Sequence, residues 1–166
     1  MKATYHSAVG GLLILTLTAS SFPAWSQAQG QLPQKRVLTL EAARRVIAAA
    51  EAEAQRNNAP AVLAVVDDGG WLILLERMDH APMLASVEIA PGKARAAAAY
   101  RKPTQALEET INRGRTAAVT APGFVQMQGG VPLMVNDEIV GAIGVSADTP
   151  AHDQQIAEAG ARALLP

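Results

Sequence analysis

Two runs without a polar interruption, Ala61-Val62-Leu63-Ala64-Val65-Val66 and Ile139-Val140-Gly141-Ala142-Ile143-Gly144-Val145, constrain this chain more than anything else in it. A strand with one wet face alternates apolar and polar residues, whereas a strand covered on both faces does not. Both runs therefore ask for helices above and below a sheet. Turn chemistry bounds them: Asp67-Asp68-Gly69-Gly70 follows the first, and Gly129-Gly130-Val131-Pro132 and Asn136-Asp137 precede the second.

Helices are available in the right places. Thr39 is placed to cap a helix from Leu40, with Glu41 near its positive end. Leu40, Ala43, Val46, Ile47, Ala50 and Ala54 then recur on one face, and Asn57-Asn58-Ala59-Pro60 ends the run. After the first strand the turn at 67–70 leads into a hairpin partner over 71–78. An Ala-rich helical stretch follows the loop 79–82; Pro91-Gly92 predicts a kink there, or two abutting helices. Lys93 to Tyr100 forms its second part, and a short helix runs from Gln105 to Asn112. Strands are expected at 124–127, 131–135 and 138–145, the last two joined by a two-residue turn at Asn136-Asp137. Thr149 or Asp148 caps a final helix that buries Ile156, Ala159 and Ala163. The order predicts an α/β fold of the α+β type: a three-layer α/β/α sandwich around a five-stranded antiparallel sheet.

The chain has 166 residues. Met1-Lys2, the apolar run Ala8–Ala19 and the small residues around Ala24-Trp25-Ser26 have the layout of a secretory signal over 1–26, with an uncleaved anchor as the alternative. The apolar run is short for a bilayer span. A polar tail over 27–37 and a domain over 38–166 follow, about 130 residues, a common single-domain size. This organisation predicts a periplasmic or secreted protein with no stable membrane span. The absence of cysteine excludes disulfides, thiolate-bound metals and cysteine nucleophiles. A formal net charge of -1 and the scarcity of aromatics argue against a nucleic-acid surface.

Candidate chemistry is sparse. Of three histidines, His6 falls in the leader and His152 reads as a solvated helix-end residue beside Asp153. His80, two residues after Met78, is either an exposed loop residue or a ligand able to reach an iron or a substrate. No histidine pair has metal-helix spacing, and Ser146 lacks a nucleophile elbow. Asp67 and Asp68 read as turn formers. Gly129-Gly130 is either a plain turn or a pair of exposed amides that holds an anion. Lys93, Arg101, Lys102, Arg113 and Arg115 supply cations nearby, and Lys93, Tyr100 and Thr104 are spaced to border one pocket. Such a pocket suits a flat apolar molecule bearing carboxylates; an ordinary solvated surface is the alternative.

Several short phrases, in order, carry a resemblance. They are Val66-Asp67-Asp68-Gly69-Gly70, Arg77-Met78-Asp79, Ala81-Pro82, Lys93-Ala94, Gly114-Arg115, Gly129-Gly130-Val131-Pro132, the run 139–146, Asp153 and Ala157-Glu158-Ala159-Gly160. From Leu38 to about Leu165 the chain resembles the GlcG/HbpS family of haem-binding or haem-degrading domains. The resemblance implies a profilin-like sandwich assembling into homo-oligomers, and haem as the ligand, in a binding protein rather than an enzyme. It implies haem capture, with possible assistance to oxidative breakdown, as the role; a small hydroxy acid ligand or a ligand-free assembly module are the alternatives. By the same resemblance Thr104 is the iron ligand, and Lys93 and Arg115 are propionate or structural contacts. His80, Ala147 and Pro91-Gly92 depart from the family pattern.

Overall fold

The computed structural model describes residues 32–164; the expected leader and residues 27–31 of the tail lie outside the described residues. Helix α1 (Leu40–Arg56) is followed by strands β1 (Val62–Asp67) and β2 (Leu72–Arg77). Helices α2 (Ser86–Tyr100) and α3 (Thr104–Asn112) and a 3₁₀ segment (Thr116–Thr120) come next. Strands β3 (Gly130–Val135) and β4 (Glu138–Ser146) and helix α4 (Pro150–Arg162) complete the order. The four strands form one antiparallel sheet ordered β2-β1-β4-β3.

The uninterrupted apolar runs occupy the two central strands, and Val62 to Val66 are wholly buried. Period-two geometry divides them between two cores. Leu63, Val65, Ile143 and Val145 pack with Val46, Ala50 and Ile156 of α1 and α4. On the other face Val66 and Ala142 meet Ala94, Ala97 and Ala98 of α2, while Val62 and Ala64 meet Ala90. Each buried Val or Leu contributes about 1.5–3 kcal/mol relative to exposure.

Local chemistry explains the boundaries. Thr39 accepts a hydrogen bond from the Ala42 N–H (3.2 Å), and Thr149 accepts one from the His152 N–H (3.2 Å). In the first hairpin Asp67 Oδ1 accepts from the Gly69 and Trp71 N–H groups, both at 2.9 Å, so this carboxylate builds the turn. In the second, Asn136 and Asp137 have φ of 49° and 62°, the paired positive values of a type I′ turn.

Three expectations are corrected. The sheet has four strands among the described residues, not five, because the stretch 124–127 pairs with a helix instead of a strand. The Val125 N–H donates to the Gly92 carbonyl of α2 (3.2 Å), and its side chain fills the space that Gly92 leaves open. Of the two alternatives at Pro91-Gly92, two abutting helices are excluded, because α2 runs as one segment through Pro91. The α4 stripe is Asp153, Ile156, Ala157 and Gly160, with Ala159 only partly buried, and on α1 Leu40 is exposed. Gly160 sits in the stripe because α1 crosses there: a Cβ would lie 3.0 Å from the Val46 carbonyl oxygen and 3.2 Å from Ala50 Cβ.

Candidate functional site

Five of the residues singled out in the sequence, Lys93, Thr104, Gly129, Gly130 and Asp153, converge at one end of the β3–β4 pair. Lys93 of α2 is 1% exposed, and its ammonium donates to Asp153 Oδ2 (2.6 Å) and to the Val145 carbonyl (2.9 Å). Asp153 Oδ1 accepts from the Ala147 N–H (2.6 Å), tying α4 to the end of β4. Burial raises the Asp153 carboxyl above its ordinary value of 3.8, and Lys93 offsets this only in part. Gly129, at φ 111°, passes so close that a Cβ would sit 2.6 Å from Asp153 Cβ and 2.9 Å from the Val145 carbonyl oxygen. Its neighbour Gly130 touches the Lys93 backbone and Thr104.

This cluster is closed upon itself. The Gly129 N–H donates to Gln154 Oε1 (3.3 Å) and the Gly130 N–H to Thr104 Oγ1 (2.7 Å), so neither amide is free to form an anion nest. Lys93 is a structural cation, committed to the Asp153 carboxylate rather than to that of a ligand. Thr104, fully buried, is the first residue of α3, and its hydroxyl pins that helix to β3 rather than facing a cavity. The pocket expected to be bordered by Lys93, Tyr100 and Thr104 does not form in the single subunit: Lys93 and Thr104 are buried against the chain's own atoms, and of the three only Tyr100 borders a cleft.

Tyr100 and Arg115 lie elsewhere, in a cleft of about 380 Å³ between α3 and the 3₁₀ segment. Leu107, Ala117, Ala118 and Ala121 give it apolar walls, and Lys102 and Arg115 stand on its edge. Neither cation has a carboxylate within ion-pairing distance among the described residues. Tyr100 closes α2, where Arg101 adopts a left-handed φ of 56°. Its ring packs edge-on against Phe124, centroids 5.3 Å apart at 73°. Gln126 closes the floor, donating from Nε2 to the Ala118 carbonyl (2.6 Å). Sequence reading missed the wall formed by Leu107 and the 3₁₀ segment, because five residues without a helical stripe carry no periodic signal.

A groove of the same volume, about 380 Å³, lies by α1 and the β3–β4 hairpin, but its charges are already matched. Arg36 is bound to Glu138 (3.0 Å) and Arg45 to Glu41 (3.4 Å). The unmatched cations make the α3 cleft the better receptor for an anionic ligand.

His80 is exposed at φ 66°, just after β2, beside a smaller groove of about 260 Å³. Met78 is engaged there, its sulfur accepting from the Ala61 N–H (3.4 Å). Strands β2 and β3 are the two edges of the sheet, three inter-strand spacings or roughly 14 Å apart. His80 and Thr104 therefore do not share one metal within a subunit. His152 is a helix-end residue, bonded to Asp148 (2.8 Å). Among the described residues no group of three His, Asp or Glu is arranged to hold a metal, and no helix is long and apolar enough to cross a membrane.

The profile of HbpS-like haem-degrading proteins matches residues 38–162. The chain belongs to the HbpS-like family. It is 47% identical to protein GlcG of Escherichia coli K12 over 112 residues, 68% of this chain and 83% of GlcG. A double mutant of HbpS from Streptomyces reticuli superposes with a TM-score of 0.74 at 29% identity, covering 95% of this chain and 99% of that one. The PduOC domain, solved as a haem complex, superposes with a TM-score of 0.71 at 27% identity, covering 78% and 96%. In this HbpS-like chain the phrases that carry the family resemblance, Lys93-Ala94, Gly129-Gly130 and Asp153, meet in the closed cluster, while Arg115 alone of them borders the cleft.

Proposed function

We propose that this HbpS-like protein is an exported, homo-oligomeric haem-binding protein that captures haem and assists its oxidative breakdown. The observation that carries the reading is the α3 cleft: apolar walls, two unmatched cations and a volume in the range of small-molecule sites. Haem has the complementary chemistry, a flat apolar ring edged by two carboxylates. Arg115 and Lys102 would pair with the carboxylates, a guanidinium being well suited to a carboxylate. Leu107, Ala117 and Ala118 cover a ring face. Thr104 and Gly130 act one step removed, pinning α3 and thus one wall of the cleft, while Lys93 and Gly129 tie α2 and the start of β3 to α4. Bound haem supplies the iron for any redox chemistry; the protein binds, orients and shields it. Export is carried by the leader pattern at 1–26.

Titration of the purified protein with ferric haem tests the reading. A saturable Soret shift is expected, weakened about tenfold by Arg115→Ala, the equivalent of roughly 1.4 kcal/mol. No shift, or a shift indifferent to Arg115→Ala and Lys102→Ala together, rejects it. The rival ligand, a small hydroxy acid clamped by the Gly129 and Gly130 amides, loses its donors to Gln154 and Thr104. Cell fractionation tests export, and light scattering on the purified protein tests assembly.

A further inference from the structure

The α3 cleft offers several oxygen atoms, and their hydrogen bonds separate them. Thr110 Oγ1 donates to the Ala106 carbonyl (2.8 Å) and Thr120 Oγ1 to the Ala117 carbonyl (2.8 Å), so both hydroxyls are turned to their own backbone. Gln126 is 8% exposed and held by Ala118. Tyr100 differs on every count. It is 38% exposed, and among the described residues its hydroxyl has no hydrogen-bond partner. Phe124 fixes the ring edge-on, and its position as the last residue of α2 fixes the backbone. Neither His80 nor His152 borders the cleft, and neither does Met78, so no imidazole competes for a metal there.

We infer that Tyr100 is the residue that ligates the iron of haem bound in the α3 cleft, through its phenolate oxygen. The inference rests on the haem-binding reading above and adds the ligand to it. A phenolate is a hard anionic donor suited to ferric iron, and tyrosine is one of the side chains that proteins use as an axial haem ligand. On ligation the phenol O–H breaks, its proton passes to water, and the oxygen's electron pair forms the new bond; the iron stays ferric. Lys102 and Arg115 on the same cleft offset the negative charge that this leaves. Thr104, the ligand implied by resemblance, would first have to release the Gly130 N–H and leave full burial.

Resonance Raman and electron paramagnetic spectra of the ferric complex, with the Soret titration, test the assignment. The unaltered protein should give tyrosinate modes enhanced through the iron and a high-spin signal. Tyr100→Phe keeps the ring and should still bind haem, within about tenfold, but lose the tyrosinate modes. Tyr100→His should restore a strong ligand with an imidazole-type spectrum. Haem binding with no tyrosinate modes, or a Tyr100→Phe spectrum identical to the parent, overturns the ligand assignment and leaves haem binding standing. No binding by the unaltered protein overturns both. Absence of tyrosinate modes from the unaltered complex, together with a spectrum that changes on Thr104→Val with binding retained, assigns the iron to Thr104 instead.

Discussion

Replacing Lys93 with methionine should be among the most damaging single changes to this fold, and for a stated reason. Methionine nearly preserves the buried chain, so little cavity forms; what disappears is the ammonium between Asp153 Oδ2 and the Val145 carbonyl. The Asp153 side chain is 10% exposed and would remain as a buried carboxylate with one N–H donor, from Ala147. Removing one partner of a buried ion pair costs about 3–5 kcal/mol, because the survivor has no other way to recover its lost hydration. For a domain of this size that lowers Tm by about 10–20 °C. Asp153→Asn should cost a comparable amount by stranding the ammonium. The double variant should lose less than the sum of the two, with a coupling of about 2 kcal/mol in urea unfolding. A pH dependence follows. The folded carboxyl titrates above 3.8, so the fold binds that proton more tightly than the unfolded chain does. Its protonation then stabilises the fold below 3.8, and the effect fades as pH rises through the folded value. Without Lys93 the folded value rises further, so the Lys93→Met deficit should shrink as pH falls towards 4. A deficit below about 1 kcal/mol, strictly additive losses, or a deficit that widens in acid would refute the argument.

Thr104→Val keeps the shape of the side chain but strands the Gly130 N–H, and should cost about 1–3 kcal/mol with faster amide exchange across α3. Gly144→Ala should cost about 3 kcal/mol or more in thermal unfolding, since a Cβ there would collide with the Ala90 carbonyl and the Ala94 nitrogen of α2. Arg56, with help from Gln155 and Asn57, holds the Glu53 carboxyl at about 2 instead of its ordinary 4.5. Stability from that depressed value is complete above 4.5 and is lost as pH falls towards 2, so Glu53→Gln should flatten that part of the acid-unfolding curve.

Much of the fold was legible because its signals are local. The Asn136-Asp137 turn needs two positive φ values, and those residue types tolerate them; the Thr39 and Thr149 caps need only a hydroxyl at the right offset. The unbroken runs at 61–66 and 139–145 announced a sheet covered on both sides, which the packing of α2 against one face and α1 and α4 against the other bears out. Errors arose where tertiary contacts overrode local preference. Pro91 removes one amide from α2, yet Gly92 beside it is where Val125 docks, so a pair that locally breaks a helix is retained within one. The same contact takes 124–127 out of the sheet. The final helix was read one register off because Asp153, a charged residue, belongs to its buried stripe, and the distant Lys93, together with the Ala147 N–H, makes that burial tolerable.

A similar displacement explains why the candidate site was only partly visible. Glycine pairs, a lysine and an aspartate invite a ligand reading, since each type is common in binding sites. Here Gly129, Gly130, Lys93, Thr104, Asp153 and Gln154 satisfy one another, and their joint product is the docking of α2, α3 and α4 at one end of the β3–β4 pair. A motif of that kind marks the shared fold; it does not choose the ligand. The choice falls to residues that the fold leaves unsatisfied, and in the α3 cleft these include the cations Lys102 and Arg115 and the Tyr100 hydroxyl. Proteins of the same architecture can then differ in ligand by changing the α3 cleft while the cluster beneath it stays fixed. It follows that, on the proposed haem-binding reading, Lys93→Met should act on haem affinity only through the stability of the fold, whereas Arg115→Ala should act on affinity with Tm nearly unchanged. Equal effects of the two on both quantities would show that support and site are not separable in this molecule.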